Sequence, residues 1–381
     1  MIDFFQYIFI VISLVYVGII ISFTIGWFGL KIYNPTTKKL STKVSVIIAT
    51  RNEEENIQYC LNDLIAQDFD KNLFEIIIVD DFSADKTILI IESIIKSTSV
   101  NIELYDLKSE KSENFSKKTA IQKAIEKSNG ELIITTDADC RFNSKWISTL
   151  VDYYENSGKK MISGPVSYCF PRSFLGKFQT LEFLSLISSG AGAISIGKPI
   201  MCNGANFAYS KTAFYEIRGF EENMKYSSGD DVFLLQNFLK TFGSKSIGFL
   251  KNKNAIVYTK HQNSVKGFFN QRIRWTSKSS GYKNFFLILT AFSVLLFNLS
   301  IISSIIIALF YTHFLWLALI LFAIKSIADF PLLFGITYFT KQTKLLFFFL
   351  PLQIFYPFYI SFLGILGNLL NFNWKGRELK K

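Results

Sequence analysis

Three pairs of carboxylates and one basic, aromatic pentapeptide occur in a fixed order along this chain. They are Asp80-Asp81, Asp137-Ala-Asp139, Asp230-Asp231 and Gln271-Arg-Ile-Arg-Trp275. An Asp-x-Asp pair supplies hard oxygen ligands, which suit Mg²⁺ or Mn²⁺ bound together with substrate phosphates. Each motif is short and is weak evidence alone. Their order predicts a site that holds a metal, a diphosphate and a catalytic base.

The segments that must position these residues alternate between strand and helix patterns. Residues 43–50 form a β-rich run, and apolar residues at spacings of three and four follow it through residue 65. Further strand-like runs occupy residues 74–79, 102–105 and 131–136. This alternation predicts an α/β fold with a parallel, Rossmann-like sheet and helices on both faces. Ligands bind beyond the carboxyl ends of such strands, where the first two carboxylate pairs fall.

Aspartate and asparagine at strand ends can also be ordinary turn or helix-cap residues. That interpretation is the simpler one for Asp85 or Asn56 alone. Several acidic clusters at one edge repel each other unless a cation or hydrogen-bond donors compensate them, which favours a binding site. The chain has neither the GxGxxG fingerprint of dinucleotide enzymes nor the GxxxxGK[ST] phosphate loop. We therefore expect a metal to hold the phosphates.

Uncharged apolar runs flank this polar region at both ends. They cover residues 4–30, 284–324 and 345–374, and a span needs about 20 residues. Lysines follow the first run and only Asp3 precedes it, so the positive-inside rule places residues from 31 onward in the cytosol. We expect an integral protein of the bacterial plasma membrane. Its predicted parts are an N-terminal anchor (1–31), a cytosolic domain (41–281), about three C-terminal spans (284–372) and a basic tail (373–381).

Two charges inside the C-terminal region leave the number of spans open. Lys325 and Asp329 are four residues apart, so they either pair within one span or mark a short loop between two spans. Three crossings after the cytosolic domain put the tail outside. The basic composition of the tail instead favours the cytosol and an even number of crossings.

The net charge of +11 is explained simply if the protein binds an anionic membrane surface and anionic phosphates. No basic stripe with interleaved aromatic residues stands out in the polar region, so nucleic acid is not an expected partner. The cysteines show no CxxC spacing, and a cytosolic domain disfavours disulfides. We interpret them as buried free thiols: Cys60, Cys140, Cys169 and Cys202.

Over about residues 43–280 the chain resembles the family 2 inverting glycosyltransferases, which have a GT-A fold. The matching segments are residues 44–53, 77–85, 116–120 and 137–139. The resemblance implies that Thr50 and Glu53 line a nucleoside pocket and that Asp81 contacts uracil. It also implies that Lys117 lies near the donor and that Asp139 binds the metal. The family usually has glycine where this chain has Ser116, which leaves the choice between Lys117 and Lys118 open.

The second half of the domain has three further candidate segments. Asn203-Gly204 is either a turn before a strand or, as the resemblance favours, an acceptor-side segment whose amides bind sugar hydroxyls. Asp230-Asp231 can cap a helix, but the resemblance makes Asp231 the base with Asp230 in support. The pattern QxxRW is found in enzymes similar to hyaluronan, chitin and cellulose synthases and in ceramide glucosyltransferases. In this motif Arg274 suits a diphosphate and Trp275 a sugar ring.

The QxxRW segment also fits an amphipathic helix that lies on the membrane surface. In that interpretation four basic residues interleave with apolar and aromatic ones: Lys266, Arg272, Arg274 and Lys278. Because Arg272 is outside the matched positions, its replacement by lysine is expected to be nearly silent. The candidate site then has Asp231 and Asp230 as catalytic residues, Asp139 as metal ligand, and these substrate-binding residues: Thr50, Glu53, Asp81, Lys117, Asp137, Asn203, Gly204, Gln271, Arg274 and Trp275.

Together, the resemblance and the apolar flanks imply a membrane-bound glycosyltransferase with Mg²⁺ or Mn²⁺. The expected reaction moves a sugar from a nucleotide-diphosphate donor, a UDP-sugar, to a lipid or a growing glycan of the cell envelope. One alternative is a polyprenyl-phosphate sugar transferase, against which QxxRW argues. Another is a membrane transporter whose soluble domain only senses a nucleotide. The donor sugar, the acceptor and the choice between single and repeated addition stay open.

Overall fold

A seven-stranded sheet forms the centre of the polar region in this computed structural model. The structure describes residues 2–109, 117–224, 229–367, 369–370, 372–375 and 377–379, so Ser116 and part of the basic tail lie outside the described residues. The strands of this sheet are β1 (Val44–Thr50), β2 (Phe74–Asp80), β3 (Asn101–Asp106), β4 (Leu132–Asp137), β5 (Met161–Ser163), β7 (Phe207–Ser210) and β8 (Ile247–Phe249). A smaller parallel pair consists of β6 (Val166–Tyr168) and β9 (Val257–Thr259).

The spatial order of the large sheet is β3-β2-β1-β4-β7-β5-β8. The first four strands are parallel, as predicted, and β7 runs antiparallel to both β4 and β5. The sheet is therefore mixed rather than wholly parallel. Strands such as β1 are continuously apolar because both of their faces are buried, which explains why their runs were visible in the sequence.

Helices connect these strands. They are α2 (Ile57–Ile65), α3 (Thr87–Ser97), α4 (Lys117–Lys127), α5 (Trp146–Ser157), α6 (Phe174–Ser195), α7 (Lys211–Glu216), α8 (Asp230–Phe242) and α9 (Val265–Thr276). The first four strands alternate with α2, α3 and α4, so the predicted β-α alternation is confirmed. The carboxyl ends of β1, β2 and β4 consequently lie side by side at one edge.

Within the described residues, four helices are long and apolar enough to cross a membrane. They lie at α1 (Ile2–Gly29), α10 (Phe285–Ala308), α11 (His313–Phe339) and α12 (Phe349–Leu366, extended by a 3₁₀ turn from Thr343). Helix α1 packs on α6 through two glycines, since a Cβ atom on Gly26 would lie 2.2 Å from the carbonyl oxygen of Gly192. Small residues allow helices to approach this closely.

Lys325 and Asp329 lie within α11 and form an ion pair there. The interpretation of these residues as a loop is therefore wrong, and the predicted pairing is confirmed. Gln353 of α12 accepts a hydrogen bond from the Lys325 ammonium at 2.9 Å, and the Tyr16 hydroxyl of α1 donates to Asp329 at 2.6 Å. The network holds three helices together because unpaired charges in an apolar layer are costly.

Both ends of α12 contact the globular domain. At its start, the Lys177 ammonium lies 4.2 Å from the centroid of the Phe348 ring. At its end, a Cβ atom on Gly367 would lie 3.1 Å from Thr276 of the domain. Beyond it, Lys375 pairs with Glu53. Helix α12 and Lys375 therefore both lie against the domain.

The cysteines are all free thiols. Cys60 and Cys140 are buried, as predicted. The prediction is wrong for Cys169, which is exposed, and only partly right for Cys202, which is half-buried.

Candidate active site

Every candidate residue from the sequence lines one cavity of about 650 Å³. Thr50 ends β1, Asp81 follows β2 and Asp137 ends β4, so the parallel strands deliver three of them to one edge. The turns after β1 and β4, the starts of α4 and α8, a 3₁₀ turn and α9 bring the others: Glu53, Lys117, Asp139, Asn203, Gly204, Asp230, Asp231, Gln271, Arg274 and Trp275. Residues separated by more than 200 positions thus share one space.

Two carboxylates at the end of β4 form the acidic corner of this cavity. Ligand atoms of Asp137, Asp139 and Cys140 lie within 4.8 Å of one another. The Thr259 hydroxyl donates to Asp139 at 3.0 Å. Burial, then the negative charges of Asp137 and Glu53, raise the pKa of Asp139 to about 6. A divalent cation would relieve this repulsion, and hard Mg²⁺ or Mn²⁺ prefers the two carboxylates to the buried thiol.

The raised pKa of Asp139 predicts pH-dependent metal binding. The folded-state pKa exceeds the ordinary value, so Asp139 holds its proton up to about pH 6 and competes there with a cation. We expect the increase in melting temperature caused by Mn²⁺ to be large at pH 7.5 and small at pH 5. Thermal shift measured with and without Mn²⁺ at both pH values tests this, with Asp139→Asn as control. An increase that is the same at both pH values contradicts Asp139 as a ligand.

The predicted nucleoside side of the cavity includes a residue that sequence reasoning missed. The Lys375 ammonium pairs with Glu53 and donates to the carbonyl oxygen of Arg51 at 2.7 Å. The Arg51 guanidinium donates to the carbonyl oxygen of Asp81 at 2.6 Å. The buried Thr50 hydroxyl oxygen has no hydrogen-bond partner among the described residues. This corner therefore offers polar groups to a ligand beside Lys375, which comes from the opposite end of the chain.

The structure separates the two lysines at the start of α4. Lys117 faces the cavity, with its ammonium 2.8 Å from Asp137 and 3.2 Å from Asp230. Burial alone lowers the pKa of Lys117, but these two acids outweigh it and raise the pKa above the ordinary value. Lys118 points away and donates to the carbonyl oxygen of Asn223 at 2.7 Å. Lys117 is therefore the lysine available to a ligand.

Asp230 and Asp231 begin α8, after Gly229 with its positive φ of 84°. Burial alone raises the pKa of Asp230, but Lys117 and Lys278 hold it below its ordinary value. Asp231 accepts hydrogen bonds from the Gly204 amide at 3.3 Å and from the Lys278 ammonium at 3.1 Å. A Cβ atom on Gly204 would lie 3.3 Å from Asp230, so glycine lets this turn approach the acids closely.

Lys278 is a site residue that the sequence did not indicate as one. Burial lowers its pKa, but Asp231 outweighs this and raises the pKa above the ordinary value. Lys278 follows Arg274 by four residues, about one helical turn, so the sequence already indicated that both could lie on the same side of the helix. The amphipathic-surface interpretation instead predicted that Lys278 faces lipid headgroups.

Arg274 and Trp275 reach the cavity from α9. Burial lowers the pKa of Arg274, although Asp137, Asp230 and Asp231 oppose this shift, so the guanidinium lies among the site acids. The Trp275 ring packs on Phe183 at a centroid distance of 5.9 Å. The QxxRW segment thus forms one wall of the site.

The surface-helix interpretation is wrong for Arg272. Its side chain is 2 % exposed and its guanidinium bonds Glu182 of α6 at 2.5–3.1 Å. It also lies 4.1 Å from the Trp275 ring centroid and donates to Gln271 at 2.5 Å. The expectation that lysine could replace it silently therefore fails, because the site is bidentate and stacked.

Removing Arg272 should destabilise the protein. Arg272→Ala leaves Glu182 buried without its partner, which typically costs about 3–5 kcal/mol. We expect a clearly lower melting temperature in detergent, whereas Arg172→Ala, at an exposed position, should be nearly neutral. If both variants have the melting temperature of the wild type, the Arg272–Glu182 pair contributes nothing to the packing of α9 on α6.

Two family models match the sequence. Glycosyl transferase family 2 matches residues 45–218, and Glycosyl transferase family group 2 matches residues 132–360, more than half of the chain. The chain belongs to glycosyl transferase family group 2. The chain is 31% identical over 128 residues to Glycosyltransferase AglE of Haloferax volcanii, a match that covers 34% of the chain and 40% of AglE. The chain thus spans less than half of that relative.

Two further similarities cover more of the chain. The chain is 25% identical over 243 residues to a dolichyl N-acetyl-α-D-glucosaminyl phosphate 3-β-D-2,3-diacetamido-2,3-dideoxy-β-D-glucuronosyltransferase of Methanococcus voltae, covering 61% of the chain and 71% of the relative. Its fold is similar to that of the mannosyltransferase PcManGT from Pyrobaculum calidifontis, solved with GDP-Man and Mn²⁺. That match has a TM-score of 0.57 and 15% identity, and covers 93% of this chain and 99% of the other. At this identity the likeness shows the GT-A-like fold.

Proposed function

We propose that this glycosyltransferase transfers a sugar from a UDP-sugar, with inversion, to a lipid or glycan acceptor at a membrane. One observation carries the proposal: an acidic pair and an acidic helix start face the same cavity, with Lys117 ion-paired to both. Its ammonium lies 2.8 Å from Asp137 and 3.2 Å from Asp230. This arrangement suits a diphosphate held between a metal and cations, with an acceptor on the Asp231 side.

Asp231 is the proposed general base. The Lys278 ammonium lies 3.1 Å from its carboxylate. It takes the proton from the acceptor hydroxyl, whose oxygen forms a bond to the anomeric carbon as the bond from that carbon to the diphosphate oxygen breaks. Such help is typically worth about 10²–10⁴-fold in rate. Because this is one displacement, an α-linked donor should give a β-linked product.

Lys117 and Arg274 are the proposed diphosphate-binding cations. Both are half-buried beside the acids, so water screens their charges less than at the open surface. A Mg²⁺ or Mn²⁺ ion held by Asp139, with Asp137 beside it, would neutralise charge on the leaving diphosphate. Thr50, Glu53 and Asp81 are assigned to the nucleoside. Asn203, Gly204, Gln271 and Trp275 are assigned to the sugars.

The acceptor class and the membrane location are also part of the proposal. The Methanococcus voltae relative is named for transfer to a dolichyl-phosphate-linked sugar, and a Staphylococcus aureus relative, 32% identical over 103 residues, is named as a poly(ribitol-phosphate) transferase. We assign the chain to the plasma membrane with its domain (41–281) in the cytosol. Four apolar helices and the basic residues after α1 support this assignment.

The function is tested with a panel of radiolabelled nucleotide sugars on purified protein and membranes. Wild-type protein with Mn²⁺ should transfer sugar from a UDP-sugar, and Asp139→Ala or EDTA should abolish transfer. Glu92→Ala, at an exposed position of α3, is the control and should keep full activity. Full activity of the wild type in excess chelator contradicts the metal-dependent mechanism.

A further inference from the structure

A second cavity of about 610 Å³ lies among the apolar helices, between α1, α6, α10, α11 and α12. Apolar side chains supply most of its wall, including Phe23, Phe292, Leu295 and Leu352. A cavity with such a wall can hold a hydrocarbon chain. It offers few hydrogen-bonding groups to a sugar, whose hydroxyls need such partners when they leave water.

This membrane cavity adjoins the catalytic cavity on the side of Asp231. Among the residues that line both spaces are Leu186, Met201, Thr276, Tyr282, Ile360 and Leu363. The Tyr282 ring lies 6.1 Å from that of Phe233, two residues after Asp231. Lys278, one helical turn before Tyr282, donates to Asp231. A ligand in the membrane cavity can therefore present a polar end to the proposed base.

The polar cluster of α11 lines the same cavity. The Lys325 ammonium lies 4.4 Å from the centroid of the Tyr356 ring of α12. Lys325, Asp329, Gln353 and Tyr16 bond one another. These groups are already paired, so they do not provide the hydrogen bonds that a sugar polymer crossing here would require.

We propose that the acceptor is a membrane lipid whose chain occupies this cavity and whose headgroup hydroxyl faces Asp231. The inference rests on the proposed transferase function and narrows its acceptor from a lipid or glycan to a lipid. The product stays attached to the lipid on the domain's side of the membrane, and no polymer is threaded between the helices. The chemistry is the single displacement described above, with the acceptor hydroxyl supplied by the lipid headgroup.

The test compares two tryptophan substitutions on α10. Ala291 lines the cavity, whereas Leu296 is exposed and lies outside its lining. Full-length protein is incubated with Mn²⁺, the labelled UDP-sugar and membranes of the producing cells. Label should enter the solvent-extractable lipid fraction. Ala291→Trp should lower the rate of transfer to lipid by about tenfold or more. The increase in its melting temperature caused by UDP should be unchanged. Leu296→Trp should transfer sugar at the wild-type rate. Label in a water-soluble polymer, or equal rates in both variants, overturns the proposal.

A second measurement does not depend on turnover, so it distinguishes failure of this inference from failure of the proposed function. Protein in phosphatidylethanolamine–phosphatidylglycerol vesicles is photolabelled with a diazirine-bearing hexadecyl phosphate. We expect the probe to label Leu295 and Tyr356, and an excess of unlabelled hexadecyl phosphate to reduce this labelling. The labelling should be lost in Ala291→Trp and retained in Leu296→Trp. If labelling is confined to outward-facing residues, the cavity holds no lipid chain. If Ala291→Trp does not reduce the labelling, the label reports only bilayer lipid. Either result overturns the inference, even if sugar transfer is observed.

Discussion

Replacing Asp231 with asparagine should lower turnover by about 10²-fold or more while UDP still binds. Asparagine has nearly the same shape, and its side-chain oxygen can still accept from the Val232 amide, which donates to Asp231 at 2.7 Å. It cannot take a proton from the acceptor hydroxyl. Donor-side residues such as Asp139 and Lys117 keep their positions. Single-turnover rates with the labelled UDP-sugar measure the loss.

The binding half of this prediction uses thermal shift or calorimetry with UDP and Mn²⁺. Glu92→Gln, on the exposed surface of α3, is the control for removing a carboxylate. If Asp231→Asn loses UDP binding together with turnover, Asp231 is a donor-site or structural residue rather than the base. The role of Asp231 would then be its ion pair with Lys278.

Arg274→Lys should reduce transfer by about 10²-fold or more, the size of loss seen when one transition-state donor is removed. Lysine keeps the charge but lacks the planar fork that contacts two phosphate oxygens. Membrane extraction and melting temperature should change little if Arg274 acts on the diphosphate. Transfer rates at saturating donor, compared with wild type, measure the effect.

The control must be an arginine away from the site. Arg272 does not serve, because its guanidinium is buried against Glu182. Arg172→Lys, at an exposed position before α6, is suitable and should be nearly silent. Equal, small losses in Arg274→Lys and Arg172→Lys contradict the diphosphate role and leave the QxxRW segment as a packing element.

Local patterns were sufficient to predict the first half of the domain. Continuous apolar runs such as residues 74–79 and 131–136 mark strands that are buried on both faces, and the alternation with helices fixes their parallel order. The carboxylates that follow such strands, Asp81 and Asp137, could therefore be placed at one edge. The antiparallel strand β7 has no comparable local signal in its four residues.

Residues that reach the cavity through tertiary packing were harder to predict. Lys375 lies 322 positions from its partner Glu53, so no local spacing connects them. Arg272 and Lys278 have the composition of a headgroup-facing surface, and only the neighbouring α6 and α8 show that they point inward. For α12, a length and hydropathy like those of a crossing helix gave no indication that both of its ends contact the domain.

The anomeric configuration of the product tests the central claim most directly. Purified full-length protein, Mn²⁺, an α-linked UDP-sugar and membrane lipid give a product whose anomeric proton coupling is read by NMR. A β-linked sugar on the lipid is expected, because the hydroxyl activated by Asp231 attacks in one displacement. An α-linked product shows two displacements or another mechanism, and contradicts the roles assigned to Asp231 and the site around it.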